Sequence, residues 1–599
     1  MKLAEIEIKN FRKLHDVKVA LGDATFLIGA NNAGKTSTLE AIELLLSGSK
    51  LTDNHRSKYI NEIGVEESVN EDVIICGLFT EVSESMLSER GFNSERLQQH
   101  IDANGNVTYS FRYRIRLGID GKNYIEMEMH TQKLKSEYES CHKWQDFIDK
   151  GADSSLFEDK TLNKRLSSSE LAALPENYPM LCQVNQETSW FVNPGGIAGN
   201  VLSKLPKFLK IEANVLADEI EASKSGTLHK LLSLIFDSVR QESENYQKAL
   251  QALEMLSKEM DPTDEDGAFG KLMNNLNQVV NEVFPNASIN IDTNLSSADS
   301  LKPIFGVTMS SNVSTEVVNQ GTGLIRSAVF ALLRFYHKNY VIKSGEGVGG
   351  LIIGFEEPEL FLHPNAAENM RKVIYELASS DSQIVATTHS PYMIDLSQKP
   401  RQVLNSYISI DKEFTDITAF NISDAFNAIQ LDDKVRVKMV QKIDDYVSRV
   451  FFAQKVIMVE GDTENIVFKK TISLMPENVR KKIESDYQII KATGKATMIS
   501  FIKYLKALNV DLFVVHDEDS TTAGAERFNT PILEALNNEH SRRLMMHNCI
   551  EDELGYSAPS SDKPYKAYKY VNNWKSWDDV PAGWKEKMKL IFADYAAYL

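Results

Sequence analysis

The chain has 599 residues, of which 42% are hydrophobic, and this is more than one hydrophobic core normally serves, so two or three domains are expected. Its formal net charge of −18 excludes a protein that binds nucleic acid through an overall positive charge, although an acidic molecule can carry a local basic groove. The four cysteines form no CxxC pair, and neither a run of eighteen apolar residues nor a basic leader occurs, which argues against a disulfide framework, a zinc site and membrane insertion and predicts a cytoplasmic protein.

The start of the chain predicts a hairpin followed by a strand, a glycine-rich loop and a helix. Residues 3–8 alternate in polarity, and an apolar run at 24–28 enters the loop at 29–36. Apolar residues then recur at helical spacing up to Leu46. The loop matches GxxxxGK[ST], in which the glycines let backbone amides approach phosphate oxygens. The sequence therefore predicts a P-loop that binds ATP.

Side chains of this loop and of the following helix are the predicted nucleotide contacts. Lys35 supplies a cation for the β- and γ-phosphates, and Thr36 supplies a hydroxyl group to Mg²⁺. The alternative is a chance glycine turn with a solvated lysine, which the flanking strand and helix patterns disfavour. The predicted contacts are Asn31, Asn32, Gly34, Lys35, Thr36 and Ser37.

Two further regions carry no visible chemistry. Turn residues at 102–106 and 120–123 separate alternating segments, which predicts an antiparallel sheet. From about residue 211 to 284, apolar residues recur at three- and four-residue spacing, which predicts helices. The apolar stripe on these helices packs either into the core of the chain or against a second copy of the chain. Periodicity alone does not distinguish these two possibilities.

Paired acids follow a strongly apolar run at 351–355. A second run at 384–388 lies beyond a helical stretch, and both runs are typical of buried parallel strands in an α/β core. After the first strand, Glu356 can bind Mg²⁺ through water, and Glu357 can polarise the water that attacks ATP. Alone, Glu-Glu-Pro is explained as well by an ordinary helix start, where acids favour the dipole. The upstream P-loop favours the functional interpretation.

These motifs together resemble an ABC-class ATPase of the SMC and RecF type. The matching parts are residues 6–12, 29–36, 356–359, 362–364 and 387–391. By this resemblance, His389 contacts the γ-phosphate and residues 362–364 (Leu-His-Pro) form the D-loop. Residues 320–323 (Gln-Gly-Thr-Gly) stand where a signature motif meets the nucleotide of a partner subunit. An LSGG sequence is absent, so the resemblance leaves open whether Gly321 and Gly323 act as that motif.

Carboxylates also follow two predicted strands in the last quarter of the chain. The first strand is followed by Glu460 and, about one helical turn onward, by Glu464, while the second is followed by Asp517 and Asp519. In an extended segment, Asp517 and Asp519 point to one face. Converging acids repel one another unless a hard cation lies among them, so we predict a Mg²⁺ or Mn²⁺ site that acts on a phosphodiester.

This region resembles a Toprim domain, and an ABC-type ATPase joined to a C-terminal Toprim domain resembles the overcoming lysogenization defect (OLD) family of nucleases. The resemblance implies a later acid and a lysine, for which Glu551 as metal ligand and Lys563 as stabilising cation are the candidates. Both are also explained as solvated surface residues. The predicted catalytic residues are Glu357, His389, Glu460, Asp517, Asp519 and Lys563, and the predicted metal ligands are Thr36, Glu356, Glu460, Glu464, Asp517, Asp519 and Glu551.

The predicted fold class is α/β, with an ABC-type, SMC- and RecF-like ATPase domain that carries a helical insertion and precedes a Toprim α/β domain. The predicted boundaries are 1–210 and 291–430 for the ATPase, 211–290 for the insertion, which is expected to dimerise the chain, 431–452 for a connecting helix and 453–599 for the Toprim domain.

The implied function is an ATPase-regulated, metal-dependent DNA endonuclease in anti-phage defence or DNA processing. Its expected partners are DNA, further copies of the chain and an accessory defence protein. One alternative is a topoisomerase or primase, although the chain shows no separate catalytic tyrosine domain. The other is a RecF-like ATP-dependent DNA clamp or scaffold with an inactive Toprim domain.

Overall fold

The structure is a computed structural model of the chain. It describes residues 1–599 except for 61–64, 93–95, 103–104, 158–159, 168–169, 172–173, 175–177, 194–197, 214–231, 234–235, 237–239, 241–242, 260–266, 284–307, 311–313, 317–328, 330, 334, 336–349, 361, 379–381, 397–400, 411–413, 445–446 and 521–523. All four cysteines are free and buried. Among the described helices, none has the length and apolar character needed to cross a bilayer.

The described residues form a mixed α/β structure. Its strands are β1 (Lys2–Phe11), β2 (Leu14–Ala20), β3 (Ala24–Gly29), β4 (Lys58–Ile60), β5 (Glu66–Ser68), β6 (Val73–Val82), β7 (Gln98–Ile101), β8 (Val107–Leu117), β9 (Asn123–Leu134), β10 (Cys182–Val192), β11 (Lys207–Ile211), β12 (Thr308–Ser310), β13 (Ser314–Glu316), β14 (Leu351–Glu356), β15 (Ser382–Thr387), β16 (Gln402–Ile410), β17 (Phe414–Asn421), β18 (Lys455–Val459), β19 (Tyr487–Lys491), β20 (Leu512–Asp517) and β21 (Arg543–Met546). Its helices are α1 (Lys35–Ser47), α2 (Trp144–Asp149), α3 (Ala198–Leu202), α4 (Glu244–Glu259), α5 (Ala268–Val283), α6 (Pro364–Leu377), α7 (Ile422–Ala428), α8 (Leu431–Ile443), α9 (Asp462–Leu474), α10 (Glu477–Asp486), α11 (Lys495–Ala507), α12 (Asn529–Ala535), α13 (Ile550–Leu554), α14 (Lys563–Val571) and α15 (Ala582–Ile591).

The first sheet is antiparallel and contains the predicted hairpin. Its strands lie in the order β10-β9-β8-β6-β1-β2, with β7 paired to β8. In the hairpin, Ile6 lies opposite Val19 and Ile8 opposite Val17, and all four side chains are buried. The alternating polarity of β1 therefore places one face in the core. Leu39 of α1 belongs to the same core cluster, so this sheet supports the helix that follows the P-loop.

The second sheet places the predicted nucleotide-binding segments side by side. Its order is β11-β14-β15-β3-β16-β17, and β14, β15, β3 and β16 pair in parallel. The strand that enters the P-loop thus lies beside β15, which in turn lies beside the strand that ends in paired acids. The carboxyl ends of parallel strands meet at one edge of a sheet. The two predicted buried strands are confirmed as neighbours, with Glu356 paired to Thr387.

The third sheet is the parallel sheet of the Toprim region, ordered β19-β18-β20-β21. Val459 at the end of β18 lies opposite Val515 of β20, so the residues that follow these strands emerge at the same edge. The strands pack into a core that also contains Phe468 of α9 and Trp584 of α15. This edge is where sequence analysis places the metal-binding carboxylates.

The described chain forms two compact units. The first contains Met1–Lys210, Val348–Leu360 and Ala367–Leu599, and the second contains Ile211–Gly347 and Phe361–Ala366. The ATPase sheets and the Toprim sheet both belong to the first unit, whereas α4 and α5 belong to the second. The predicted dimerisation role of residues 211–290 stays a prediction.

The connecting helix is shorter than the charged pattern predicts. Sequence analysis assigns it to 431–452, but α8 ends at Ile443 and a 3₁₀ turn, Val447–Phe452, follows. Asp444 takes an extended conformation, with φ −129° and ψ 98°. Acidic residues at a helix C-terminus oppose the helix dipole, which is a physical reason for the helix to end here.

Candidate active sites

The P-loop lies between β3 and α1, where two glycines make its backbone path feasible. Gly29 has φ 134°, and a Cβ atom there would lie 2.4 Å from the carbonyl oxygen of Tyr407. Gly34, with φ 99°, comes directly before α1, where a side chain would meet Leu14. Positive φ is easy only for glycine, so both positions of the motif are required by the backbone.

The remaining predicted nucleotide contacts lie around this turn. Asn31, Asn32 and Thr36 are exposed, and Ser37 is partly buried in the first turn of α1. This first turn carries no acidic side chain. Its free backbone amides and the positive end of the helix dipole favour a phosphate at this position.

Lys35 is the one predicted contact that is buried in the loop. Its Nζ atom donates hydrogen bonds to the carbonyl oxygens of Gly29 at 3.0 Å and Ala30 at 2.7 Å. Burial lowers the pKa of Lys35 to about 8, and the carboxylate of Glu357 acts in the opposite direction. A phosphate would supply the negative charge that the buried ammonium group lacks.

The predicted ATPase acids lie at the end of β14, at the same sheet edge. Glu356 is 3.2 Å from the ammonium group of Lys210. Glu357 has φ 43°, and its backbone N–H donates to the carbonyl oxygen of Thr387 at 3.0 Å. Its Oε1 lies 3.5 Å from Nε2 of His389. The structure thus brings the side chains of Glu357 and His389 together.

The pKa of His389 also depends on the charge of Lys35 in the P-loop. Burial first, and then the charge of Lys35, lower the pKa of His389, while Glu357 raises it. The imidazole is therefore neutral near pH 7. Together the three side chains place a cation, a carboxylate and a neutral hydrogen-bonding ring around the P-loop.

Glu359 is a residue of this site to which sequence analysis gives no role. Its Oε1 accepts a 2.6 Å hydrogen bond from the hydroxyl of Thr388 and a 3.2 Å bond from the backbone N–H of His389. Burial raises the pKa of Glu359, and those hydrogen bonds act against it. Glu359 therefore ties the loop after β14 to the loop after β15. The available signal was its place two residues after Glu357.

Residues 320–323, the candidate signature motif, lie outside the described residues. Residues 362–364, the candidate D-loop, belong to the second unit.

Four of the predicted Toprim carboxylates are withdrawn from solvent. Glu464, Asp517 and Glu551 are 5%, 8% and 1% exposed, and Glu460 is partly buried. Oε2 of Glu460, Oδ1 of Asp517 and Oε1 of Glu551 are buried without a hydrogen-bond partner. Unpaired buried carboxylate oxygens are costly unless a cation or a proton compensates them.

The ionisation of these groups reflects both burial and mutual repulsion. Burial raises the pKa of Asp517 to about 9, and the carboxylates of Glu464, Glu460, Asp519 and Glu551 add to the shift. Burial also raises the pKa of Glu460 to about 7, although the charge of Lys495 opposes it. The acids predicted from two separate stretches of sequence therefore lie within electrostatic reach of one another.

The backbone around Asp519 differs from the sequence prediction. β20 ends at Asp517, and Asp519 has φ 55°, a left-handed conformation rather than the extended one expected. The N–H of Asp519 donates to the carbonyl oxygen of Asn548 at 2.9 Å. The prediction that Asp517 and Asp519 point to one face of a continuing strand is therefore wrong. After Asp517, a backbone hydrogen bond to the loop after β21 takes the place of strand pairing.

Asp519 is instead held by Lys495, which sequence analysis does not identify. The Nζ atom of Lys495 is 2.8 Å from Oδ2 of Asp519, and the lysine side chain is 3% exposed. It also donates to Oδ1 of Asn529 at 3.1 Å. Lys495 opens α11, where the helix dipole disfavours a cation, so its burial there is explained by the carboxylates. The missed signal was a Gly-Lys pair at the start of a helix that follows a strand.

The donor set fits a hard divalent cation, because carboxylate oxygens are the ligands that Mg²⁺ and Mn²⁺ prefer. In the part of the chain that the structure describes, no three His, Cys, Asp or Glu side chains are grouped so that they could hold an ion together. Metal binding would therefore require these carboxylates to move closer. For Glu464 this movement would break a hydrogen bond, since its Oε2 accepts a 2.7 Å bond from the backbone N–H of Gly461.

Lys563 lies at the start of α14 and is exposed. Its positive charge is felt by Glu464, where it counteracts the rise in pKa that burial causes. The helix that Lys563 opens packs against α9, which carries Glu464.

Two family models match this chain. Residues 1–394 match the AAA ATPase domain, and residues 451–519 match the overcoming lysogenization defect protein-like Toprim domain.

Similar curated proteins match over most of their length. The Old nuclease of Escherichia phage P2 is 23% identical across 87% of this chain and 77% of that protein. The OLD nuclease of Thermus scotoductus is 22% identical across 94% of each. Endonuclease GajA of Bacillus cereus (strain VD045) is 20% identical across 96% of this chain and 84% of that protein.

Solved structures of SMC heads are more distant. An SMC head bound to the C-winged helix domain of ScpA is 12% identical, with a TM-score of 0.35, across 71% of this chain and 100% of that one. The SMC head from Thermotoga maritima is 9% identical, with a TM-score of 0.28, across 70% and 98%. These scores are too low to assign the fold, which rests on the sheet order and the family models. Because its model covers more than half of the chain, the AAA ATPase domain family is the one to which this chain belongs, and an OLD-like Toprim match follows that domain.

Proposed function

We propose that this protein is an ATPase-regulated, divalent-metal-dependent endonuclease that nicks or cleaves DNA. The observation that carries the proposal is the set of buried carboxylates at the carboxyl edge of the Toprim sheet, three of which have unpaired oxygens. Such a set, beside an exposed lysine, suits a phosphodiester substrate neutralised by cations. The names of the relatives, nuclease and endonuclease, support the same activity.

The cation-binding residues we propose are Glu460, Glu464, Asp517, Asp519 and Glu551. When bound, Mg²⁺ or Mn²⁺ activates water and stabilises the leaving oxygen. The chain itself supplies two further positive charges. Lys495 holds Asp519 in place, and Lys563 is placed to offset charge that develops on the phosphate.

On the ATPase side, we propose that the P-loop binds the nucleotide phosphates through Lys35 and the start of α1. Thr36 and Glu356 would hold Mg²⁺. Glu357 would accept a proton from the attacking water, and His389, 3.5 Å from Glu357, would contact the γ-phosphate. We also propose a homodimer or larger homo-oligomer, an accessory protein, and a role in anti-phage defence or DNA processing, as the similarity to OLD and GajA nucleases suggests.

The test is cleavage of supercoiled plasmid by purified protein with Mg²⁺ or Mn²⁺. We expect nicked or linear product, abolished by EDTA and by Glu460→Ala or Asp519→Ala, because each substitution removes a carboxylate from the site. An exposed acid of the same domain, as in Glu526→Ala, serves as the control. Undiminished cleavage by both site variants would remove the assigned site.

An ATP-dependent DNA clamp or scaffold with an inactive Toprim domain is the second candidate. The observation that favours it is that, among the described residues, no three ligands are already grouped to hold an ion. ATP-dependent DNA binding without cleavage under any divalent metal would select this alternative.

A further inference from the structure

Helix α14 presents an aromatic surface to solvent beside the Toprim carboxylates. It buries Ala567 and Val571, whereas Tyr565 and Tyr568 are 59% and 54% exposed. Exposed tyrosines three residues apart lie on neighbouring positions of the same helix face. The opposite face of α14 packs against α9, the helix that carries Glu464. The helix is thus anchored to the proposed active site by one side and open on the other.

The same helix carries an unpaired basic strip. Lys563, Lys566 and Lys569 recur every three residues, all three are exposed, and none forms an ion pair with any described residue. The helix contains no acidic residue, which is notable in a chain of net charge −18. At 1.5 Å per residue, the strip rises about 9 Å. A row of cations of this length can contact successive phosphates of one nucleic-acid strand.

The basic strip and the aromatic surface adjoin each other and the carboxylates. The ammonium group of Lys569 lies 4.8 Å from the ring centroid of Tyr565. Lys563 opens α14, which packs against α9, the helix that carries Glu464. A strand that follows the lysines away from the carboxylates would therefore pass the two tyrosine rings.

We propose that α14 binds an unpaired nucleic-acid strand next to the site of cleavage, with Lys563, Lys566 and Lys569 on phosphates and with Tyr565 and Tyr568 stacked on bases. This inference rests on the proposed nuclease function and assigns a substrate-binding surface to it. Aromatic side chains reach the faces of bases only where those bases are unpaired, since the faces are stacked inside a duplex. Lysines contact the backbone of either form. The surface thus distinguishes single-stranded or frayed DNA from fully paired DNA.

The test measures binding of the full chain to a fluorescent single-stranded 20-mer and to a hairpin duplex of similar length, in EDTA to prevent cleavage. The tyrosine variant, Tyr565→Ala with Tyr568→Ala, is expected to lose roughly tenfold or more in affinity for the single strand. Its affinity for the duplex should stay within about twofold. Tyr598→Ala, which removes a tyrosine that is 63% exposed in the C-terminal segment, is the matched control.

The lysines are tested separately through salt dependence. Lys566→Gln with Lys569→Gln should weaken binding of both DNA forms and reduce the slope of log affinity against log salt for the single strand by about 1.4, or 0.7 per phosphate contact. Lys481→Gln with Lys482→Gln on α10 is the control. Thermal melting of each variant checks that the fold is intact.

Unchanged single-strand affinity in the tyrosine variant, or an equal loss on both DNA forms, would overturn the inference. If the wild-type protein cleaves DNA with no divalent metal, the nuclease function fails instead, and the binding result stands alone. If cleavage depends on Glu460 while the tyrosine variant binds the single strand as wild type does, only the role of α14 fails.

Discussion

Asp517 shows how burial and repulsion combine at a single carboxyl group. Its pKa of about 9 lies far above the ordinary 3.8, so between these values the folded protein holds a proton that the unfolded chain has released. Stability therefore falls as pH rises through this window. Glu460, with a pKa of about 7, contributes in the same direction between about pH 4.5 and 7. A bound cation would replace the proton and remove this penalty.

We therefore predict that Mg²⁺ or Mn²⁺ raises the melting temperature more at about pH 8 than at about pH 5. Asp517→Asn should stabilise the metal-free protein at the higher pH and reduce the metal-dependent shift, because it removes the repelled charge. Differential scanning fluorimetry at both pH values measures each effect. Equal metal shifts at both pH values, or a full shift in Asp517→Asn, would contradict this account.

Lys495 allows a comparison between a buried ion pair and an exposed one in the same domain. The buried pair is Lys495 with Asp519, and the exposed one is Lys491 with Asp462, each with a closest distance of 2.8 Å. Lys495→Met should cost about 3 kcal/mol in the free energy of unfolding, because it leaves a partly buried acid unpaired. Lys491→Met should cost about 0.5 kcal/mol. Urea denaturation measures the free energy of unfolding of each variant. Similar losses of stability in Lys495→Met and Lys491→Met would argue against the role assigned to Lys495.

The success of sequence analysis at this scale depends on the type of signal. Glu357 and Glu460 directly follow buried strands, and Lys35 opens the helix after the P-loop, so each has a local signature in the sequence. The contacts of Lys495 and Glu359 depend on residues 24 and about 30 positions away, which no local pattern reveals. The conformation of Asp519 follows from a loop after β21 for the same reason.

Helix α8 joins the two functional regions of the first unit through one buried acid. Oδ1 of Asp433 accepts a 2.6 Å hydrogen bond from Ser500, and Oδ2 is 3.0 Å from the ammonium group of Lys503, both on α11. The sequence predicts a connecting helix here but not this partner, because residues so far apart in sequence meet only in the fold.

Asp433→Ala should lower the free energy of unfolding by about 1–3 kcal/mol, since it leaves the Ser500 hydroxyl and the Lys503 ammonium group without their acceptor. Asp432→Ala removes the neighbouring exposed acid on the same helix and should change stability by less than about 0.5 kcal/mol. Equilibrium unfolding in urea compares the two variants. If Asp432→Ala costs as much as Asp433→Ala, the contact between α8 and α11 does not stabilise the fold.

At the scale of the whole molecule, the order of parts was predictable and the geometry between distant parts was not. The P-loop, the paired acids and the Toprim acids each carry a local signature, and the family models confirm the order of an ATPase followed by a Toprim domain. Periodicity did not show that the ATPase sheets and the Toprim sheet belong to one compact unit. Long-range packing depends on shape and burial, which a residue pattern does not encode by itself.

The proposed coupling between ATP and DNA cleavage is a free-energy difference between two states of this molecule. The positions of the two sites do not determine whether ATP accelerates or slows DNA cleavage. Lys35→Ala separates the coupling from the chemistry of cleavage, because it removes the P-loop cation and leaves the Toprim carboxylates in place.

The most direct measurement is the rate of plasmid cleavage by the purified protein, with Mg²⁺ or Mn²⁺ and with or without ATP, for wild type, Lys35→Ala and Glu460→Ala. We predict that wild-type cleavage requires metal and changes with ATP, that Lys35→Ala cleaves at a rate that ATP does not alter, and that Glu460→Ala does not cleave. Cleavage by Glu460→Ala at the wild-type rate would contradict the account.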